Sequence, residues 1–94
     1  MAVISHDSRW SKHEKTKARV ISGTSNANVD FDELCSLLTK LGFKGRRKGS
    51  HRIFTKDGVD EIINLQPKNG KAKPYQVKQV RGVILKYRLA GDDE

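Results

Sequence analysis

The chain is poor in residues that brace small proteins: it has one cysteine and two prolines in 94 residues. With Cys35 alone no disulfide can close within the chain, which suits a reducing compartment. No apolar run approaches the ~20 residues needed to span a bilayer. Nothing near the start has the apolar core of a signal peptide. These absences predict a cytoplasmic chain with no membrane association. Acid is also in deficit. Eleven Asp and Glu stand against nineteen Lys and Arg, for a net charge of +8. Such an excess favours an anionic partner, with nucleic acid foremost and an acidic protein as an alternative. The length suits one small domain with a modest core.

Residues 1–28 read as an N-terminal extension. Val3, Ile4, Trp10, Val20 and Ile21 form no clean apolar stripe there. A helix over 11–22 fits the capping-box spacing of Ser11 and Glu14 and the glycine at position 23. Residues 22–28 read as a loop. The domain proper spans 29–90. Asp30 and Glu33 have capping-box spacing ahead of Phe31, Leu34, Cys35, Leu38 and Leu41, a single stripe of an amphipathic helix. Gly42 follows as a C-terminal cap, and Phe43 is expected to fold back on the helix end. After the basic stretch 44–49, residues 50–56 favour a strand. Asp57-Gly58 signals a hairpin into a strand at Glu61–Leu65. Residues 68–73 read as a basic loop. Pro74 opens a last helix with Val77, Val80, Ile84 and Tyr87 on one face. Lys78, Arg81, Lys86 and Arg88 are assigned to its outer face, and Gly82 is expected where the helix packs closely on another element. Residues 91–94 form an acidic tail. The order predicts a two-layer α+β domain of two or three antiparallel strands, with helices on one face and the other open to a ligand.

Three histidines are candidates for chemistry. His6 and His13 lie in the extension without cysteines or a carboxylate cluster beside them, so no metal site is expected. His51 follows Gly49 and Ser50 at a strand start, among Arg46, Arg47, Lys48 and Arg52. A histidine can give or take a proton at cell pH. Adjacent cations can stabilise charge on a phosphate. Together they would suffice to cleave RNA without metal or cofactor: a base takes the ribose 2′-hydroxyl proton and the oxygen attacks the adjacent phosphorus. DNA lacks that hydroxyl, so this route excludes it as a substrate; no direct DNA binding is expected of the chain alone. Lys71 and Lys73 in the later loop offer a second phosphate contact, and Tyr75 is a candidate proton donor. Arg46, Arg47 and Lys48 are consecutive, so in a strand they cannot all share one face. Cys35 reads as a core residue, and Ser50 lacks the partners of a serine triad. The residues alone leave three readings open: a nuclease, a non-catalytic RNA-binding module, and a domain that binds an acidic protein.

From Phe31 onward the sequence resembles the HicA toxin family. The resemblance rests on Phe31-Asp32-Glu33-Leu34 through Leu41-Gly42-Phe43, on Gly49-Ser50-His51-Arg52-Ile53-Phe54, and on Lys73-Pro74-Tyr75-Gln76-Val77-Lys78-Gln79-Val80. It covers about two-thirds of the chain. It implies a double-stranded-RNA-binding-like α-β-β-β-α fold with a three-stranded antiparallel sheet and helices on one face. It further implies an mRNA endoribonuclease toxin neutralised by a HicB-like antitoxin. On that resemblance His51 is the catalytic histidine. Gly49, Ser50, Arg46, Arg47, Lys48, Lys71 and Lys73 are the expected substrate contacts. Many relatives carry a second histidine directly after the first; here that place is Arg52.

Overall fold

The computed structural model describes residues 12–23 and 28–90. Expectations for Ser11, His6, Trp10, the centre of the 22–28 loop and the acidic tail lie outside the described residues. The elements run α1 (Lys12–Ser22), α2 (Phe31–Lys40), β1 (Lys44–Lys48), β2 (His51–Lys56), β3 (Val59–Leu65), β4 (Pro67–Lys68), β5 (Lys71–Ala72) and α3 (Pro74–Lys86). Strands β1, β2 and β3 form one antiparallel sheet in that order. The predicted α+β architecture is therefore present, with the basic stretch after Phe43 supplying the first of three strands.

Helix α2 forms where its stripe predicts. The Asp30 carboxylate accepts from the Glu33 N–H at 3.3 Å, satisfying one of the free donors of the first turn. At the other end Gly42 takes φ +104°, Phe43 N–H reaches Leu38 O and Gly42 N–H reaches Thr39 O. This pair of bonds closes the last carbonyls and turns Phe43 back into the core, where it is buried.

Alternation along the strands sorts their side chains onto two faces. Phe54, Ile63 and Leu65 are buried against the helices, together with Leu34, Leu37, Leu38, Val77, Val80 and Ile84. Gly45 lies directly opposite Phe54. A Cβ on Gly45 would stand 2.5 Å from the Phe54 ring, so glycine lets that ring lie across β1.

Helix α1 belongs to the same layer. Val20 is fully buried in the common core, and Arg81 donates from its guanidinium to Val20 O at 3.3 Å. Lys17 donates to Ala90 O at 2.7 Å. Arg81 is thus not an outer-face cation. It is half-buried against the C-terminal end of α1, where a positive charge meets the helix dipole favourably.

Two further expectations change. Residues 68–73 are not an open loop: Asn69 and Gly70 take φ +55° and +78°, and close a small hairpin of β4 on β5. Both central residues with positive φ make the tight turn whose twist matches the strands. Gly82 has open space where a Cβ would stand, so close packing does not explain it. At the other end of α3, Tyr87 and Lys86 donate to the Glu61 carboxylate at 2.7 and 2.9 Å, tying the helix to β3. The Tyr87 hydroxyl, then Lys86, hold that carboxyl below its ordinary range. The tie therefore persists at neutral pH and loosens as pH falls through the lowered value.

Two substitutions separate these glycines. Gly45→Ala drives a methyl into the buried Phe54 ring and is expected to cost about 1–3 kcal/mol. Gly82→Ala fills only open space within a helix. It should stabilise by about 1 kcal/mol, raising the melting temperature by roughly 4–8 °C. Thermal unfolding of both variants measures each effect.

Candidate active site

The β1–β2 connection is two residues, Gly49 and Ser50, between the cross-strand pair Lys48 and His51. Gly49 takes φ +62° at the first position, the backbone a tight hairpin of this kind requires. The space where a Cβ on Gly49 would stand is open. Glycine is required here by backbone conformation, and the turn stays low in profile as a consequence.

That turn sets which side chains meet. Arg46 pairs with Ile53 and Ile53 with Asn64, while Lys48 pairs with His51. These residues therefore share the face of the sheet that the helices leave open. Arg47 pairs with Arg52, and Arg52 with the fully buried Leu65, so both arginines lie on the helix side. The three consecutive cations divide as the strand period requires, and Arg47 is separated from the other two. Arg52 likewise leaves the His51 face, so the residue next in sequence to His51 points to the opposite side of the sheet.

His51 Nδ1 lies 2.7 Å from Asn64 Oδ1. The amide oxygen can only accept, so Nδ1 is the donor in this contact, and in the neutral ring Nε2 is the nitrogen that can take a proton. Asn64 was not singled out by the sequence, because it sits 13 residues away and an asparagine in a strand carries no motif. Its face and register would have pointed to it.

Gln66 was also missed. Its side-chain nitrogen donates to Ser50 Oγ at 3.3 Å, and its oxygen accepts from Lys73 Nζ at 3.3 Å. Ser50 and Lys73 are thereby joined through one side chain. The Gln66 backbone is held in turn by the buried Gln76 amide, whose oxygen accepts from Gln66 N–H at 3.2 Å with its nitrogen facing Gln66 O at 3.3 Å. Lys71 is exposed on β5. The hairpin carrying it is fastened to the start of α2 by Phe31 N–H to Gly70 O at 3.0 Å and Ala72 N–H to Val29 O at 2.9 Å. Phe31, Gly70, Ser50 and His51 consequently line one open cleft of about 400 Å³.

Three further candidates lie on the helices. Cys35 is buried and its thiol is pushed up to about 11, chiefly by burial, so it stays protonated at neutral pH. Tyr75 is 64% exposed at the start of α3 and does not serve the core. His13 lies on α1, at a pocket that Asp32, Ser36 and Lys40 also line. Among the described residues no group of three His, Cys, Asp or Glu could hold a metal ion, and no helix is long and apolar enough to cross a membrane.

The arrangement is a solvent-facing imidazole with one nitrogen oriented and the other free. Lys48 lies across the strand from it, Arg46 is on the same face, and a serine–glutamine–lysine chain is at its turn. It suits proton transfer at an anionic ligand. Searches of curated proteins and of solved structures gave no match. The family described as the HicA toxin of bacterial toxin-antitoxin matches residues 31–90, from the first turn of α2 to the end of the last turn. With well over half the chain covered, and with the expected sheet and helices in place, this protein belongs to the HicA family of toxins from bacterial toxin–antitoxin systems.

Proposed function

We propose that the chain is a metal-independent endoribonuclease that cleaves mRNA, with His51 as its proton-transfer group. The observation that carries this reading is the 2.7 Å contact between His51 Nδ1 and Asn64 Oδ1. It directs Nε2 of the neutral ring to the exposed, basic sheet face as the proton-accepting nitrogen, which is what a general base requires. Nε2 takes the proton of a ribose 2′-hydroxyl. The 2′-oxygen then bonds to the adjacent phosphorus, and the 5′-oxygen leaves, taking a proton from the surrounding water. The products are a 2′,3′-cyclic phosphate and a 5′-hydroxyl end. Lys48 and Arg46 neutralise charge gathering on the phosphate oxygens. Ser50, oriented by Gln66, adds a hydroxyl, and Lys73 and Lys71 extend the cationic surface toward the hairpin.

A toxin of this class is paired with an antitoxin, here proposed to be HicB-like. The exposed sheet face carrying His51 is the surface such a partner must cover to silence it. Ile62, 61% exposed on that face, gives the partner an apolar contact that RNA does not need.

His51→Ala should lower RNA cleavage by about 10²–10⁴-fold in the presence of chelator, with thermal unfolding unchanged because the ring faces solvent. RNA binding by the wild-type protein without cleavage would instead favour a non-catalytic RNA-binding module. Asn64→Ala tests the orientation separately. Nitrogen-15 NMR of His51 should show loss of the Nδ1–H preference. Cleavage should slow about fivefold to tenfold, the rate equivalent of one hydrogen bond.

A further inference from the structure

Arg47 and Arg52 stand directly opposite one another on β1 and β2, with their side chains on the helix side of the sheet. Like charges placed so are destabilising unless something neutralises them. Asp32 of α2 brings a carboxylate to the same cleft but forms an ion pair with neither arginine. Arg52 reaches in far enough to act electrostatically on the Cys35 thiol, while Arg47 is exposed at the sheet edge. The cleft they line also takes in Gly49, Ser50 and His51. It therefore runs from the helix side, over the β1–β2 turn, to the rim of the open face. Beyond its chain neighbours, nothing stands within 4 Å of where a Cβ on Gly49 would be.

We propose that Arg47 and Arg52 form a second phosphate-binding site, which holds a phosphate of the RNA chain neighbouring the one presented to His51. The inference rests on the reading of the ligand as RNA and extends it to a route. The strand crosses the low turn at Gly49-Ser50, with one phosphate on the His51 face and the next gripped on the opposite side. Two guanidinium forks around one phosphate convert an unfavourable pair into charge-assisted hydrogen bonds. An internal phosphodiester offers two unesterified oxygens, one to each fork, and RNA is favoured over an acidic protein segment because the same cleft holds Gly49, Ser50 and His51, so that one strand can serve both places. The Arg at the position following His51 thus has a role of its own, on the other face from the proton transfer.

The test uses a fluorescein-labelled single-stranded RNA decamer and full-length protein carrying His51→Ala, so that no cleavage intervenes. Adding Arg47→Gln and Arg52→Gln should weaken binding about tenfold. It should also flatten the salt dependence of log K by ~0.7, the share of one phosphate. The pair Lys15→Gln and Lys78→Gln removes the same charge from exposed helix positions and should do neither to that extent. Replacing both arginines by lysine keeps the charge but not the forks, so the slope should persist while binding weakens several-fold. Melting temperature should hold or rise when the like-charge pair is removed, which excludes unfolding as the cause. Equal weakening by the two Gln pairs overturns the proposal, as does an unchanged slope. Binding of poly-glutamate that depends on the two arginines, with RNA affinity unaffected, would assign the pair to an acidic protein and also overturn it. The nuclease reading fails by a different result: wild-type protein that binds the decamer and leaves it intact.

Discussion

The register of β1 against β2 decides which way every functional side chain points. A strand repeats every two residues, so a slip of one residue would send His51 toward the helices and Arg52 into solvent. Three features hold the register. The two-residue connection at Gly49-Ser50 leaves no slack, and Gly49 supplies the positive φ it needs. Phe54 anchors β2 in the core and can lie there only because its partner on β1 is Gly45. Ile63 and Leu65 anchor β3 on the same side. The outward direction of His51 thus follows from the inward direction of its neighbours, and the functional face is a by-product of core packing.

The core that enforces this is small, and the helical layer is correspondingly economical. Helices α2 and α3 cover the sheet, while α1 joins them through Val20 and through side-chain bonds to backbone carbonyls. Cations carry much of this cross-bracing: Arg81 to Val20 O, Lys17 to Ala90 O and Lys86 to Glu61. Part of the excess positive charge is therefore structural. What remains unpaired around the β1–β2 turn is the portion available to a ligand. Net charge alone could not separate the two groups.

Asn64 and Gln66 show why the site was only partly legible. His51 stood out because a titratable ring beside glycine and cations is a rare local pattern. Its orienting partner is an ordinary polar residue in another strand, brought close by pairing rather than by spacing. Gln66 joins Ser50 to Lys73 for the same reason: it lies at the junction between β3 and β4, where the chain turns toward the small hairpin. Arg81 and Gly82 were misjudged because helical periodicity says which face a residue occupies, but not which neighbour lies beyond it. The hairpin at Asn69-Gly70 was visible as a turn, yet two-residue strands are too short to show alternation.

By itself the sequence determined the three helices, β2 and β3, and their order. Apolar spacing, an N-terminal aspartate and a C-terminal glycine specify α2; Pro74 and its stripe specify α3; Asp57-Gly58 marks the hairpin between β2 and β3. It also singled out His51, since the chemistry of that side chain is intrinsic. Tertiary structure decided the surroundings. It turned Arg46 and Lys48 to the His51 face and Arg47 and Arg52 to the other, gave His51 its hydrogen-bond partner, and linked Ser50 to Lys73. The physical reason is that local preference acts along the chain. Facing and proximity come instead from which side chains the core must bury, and that is settled only when strands and helices meet.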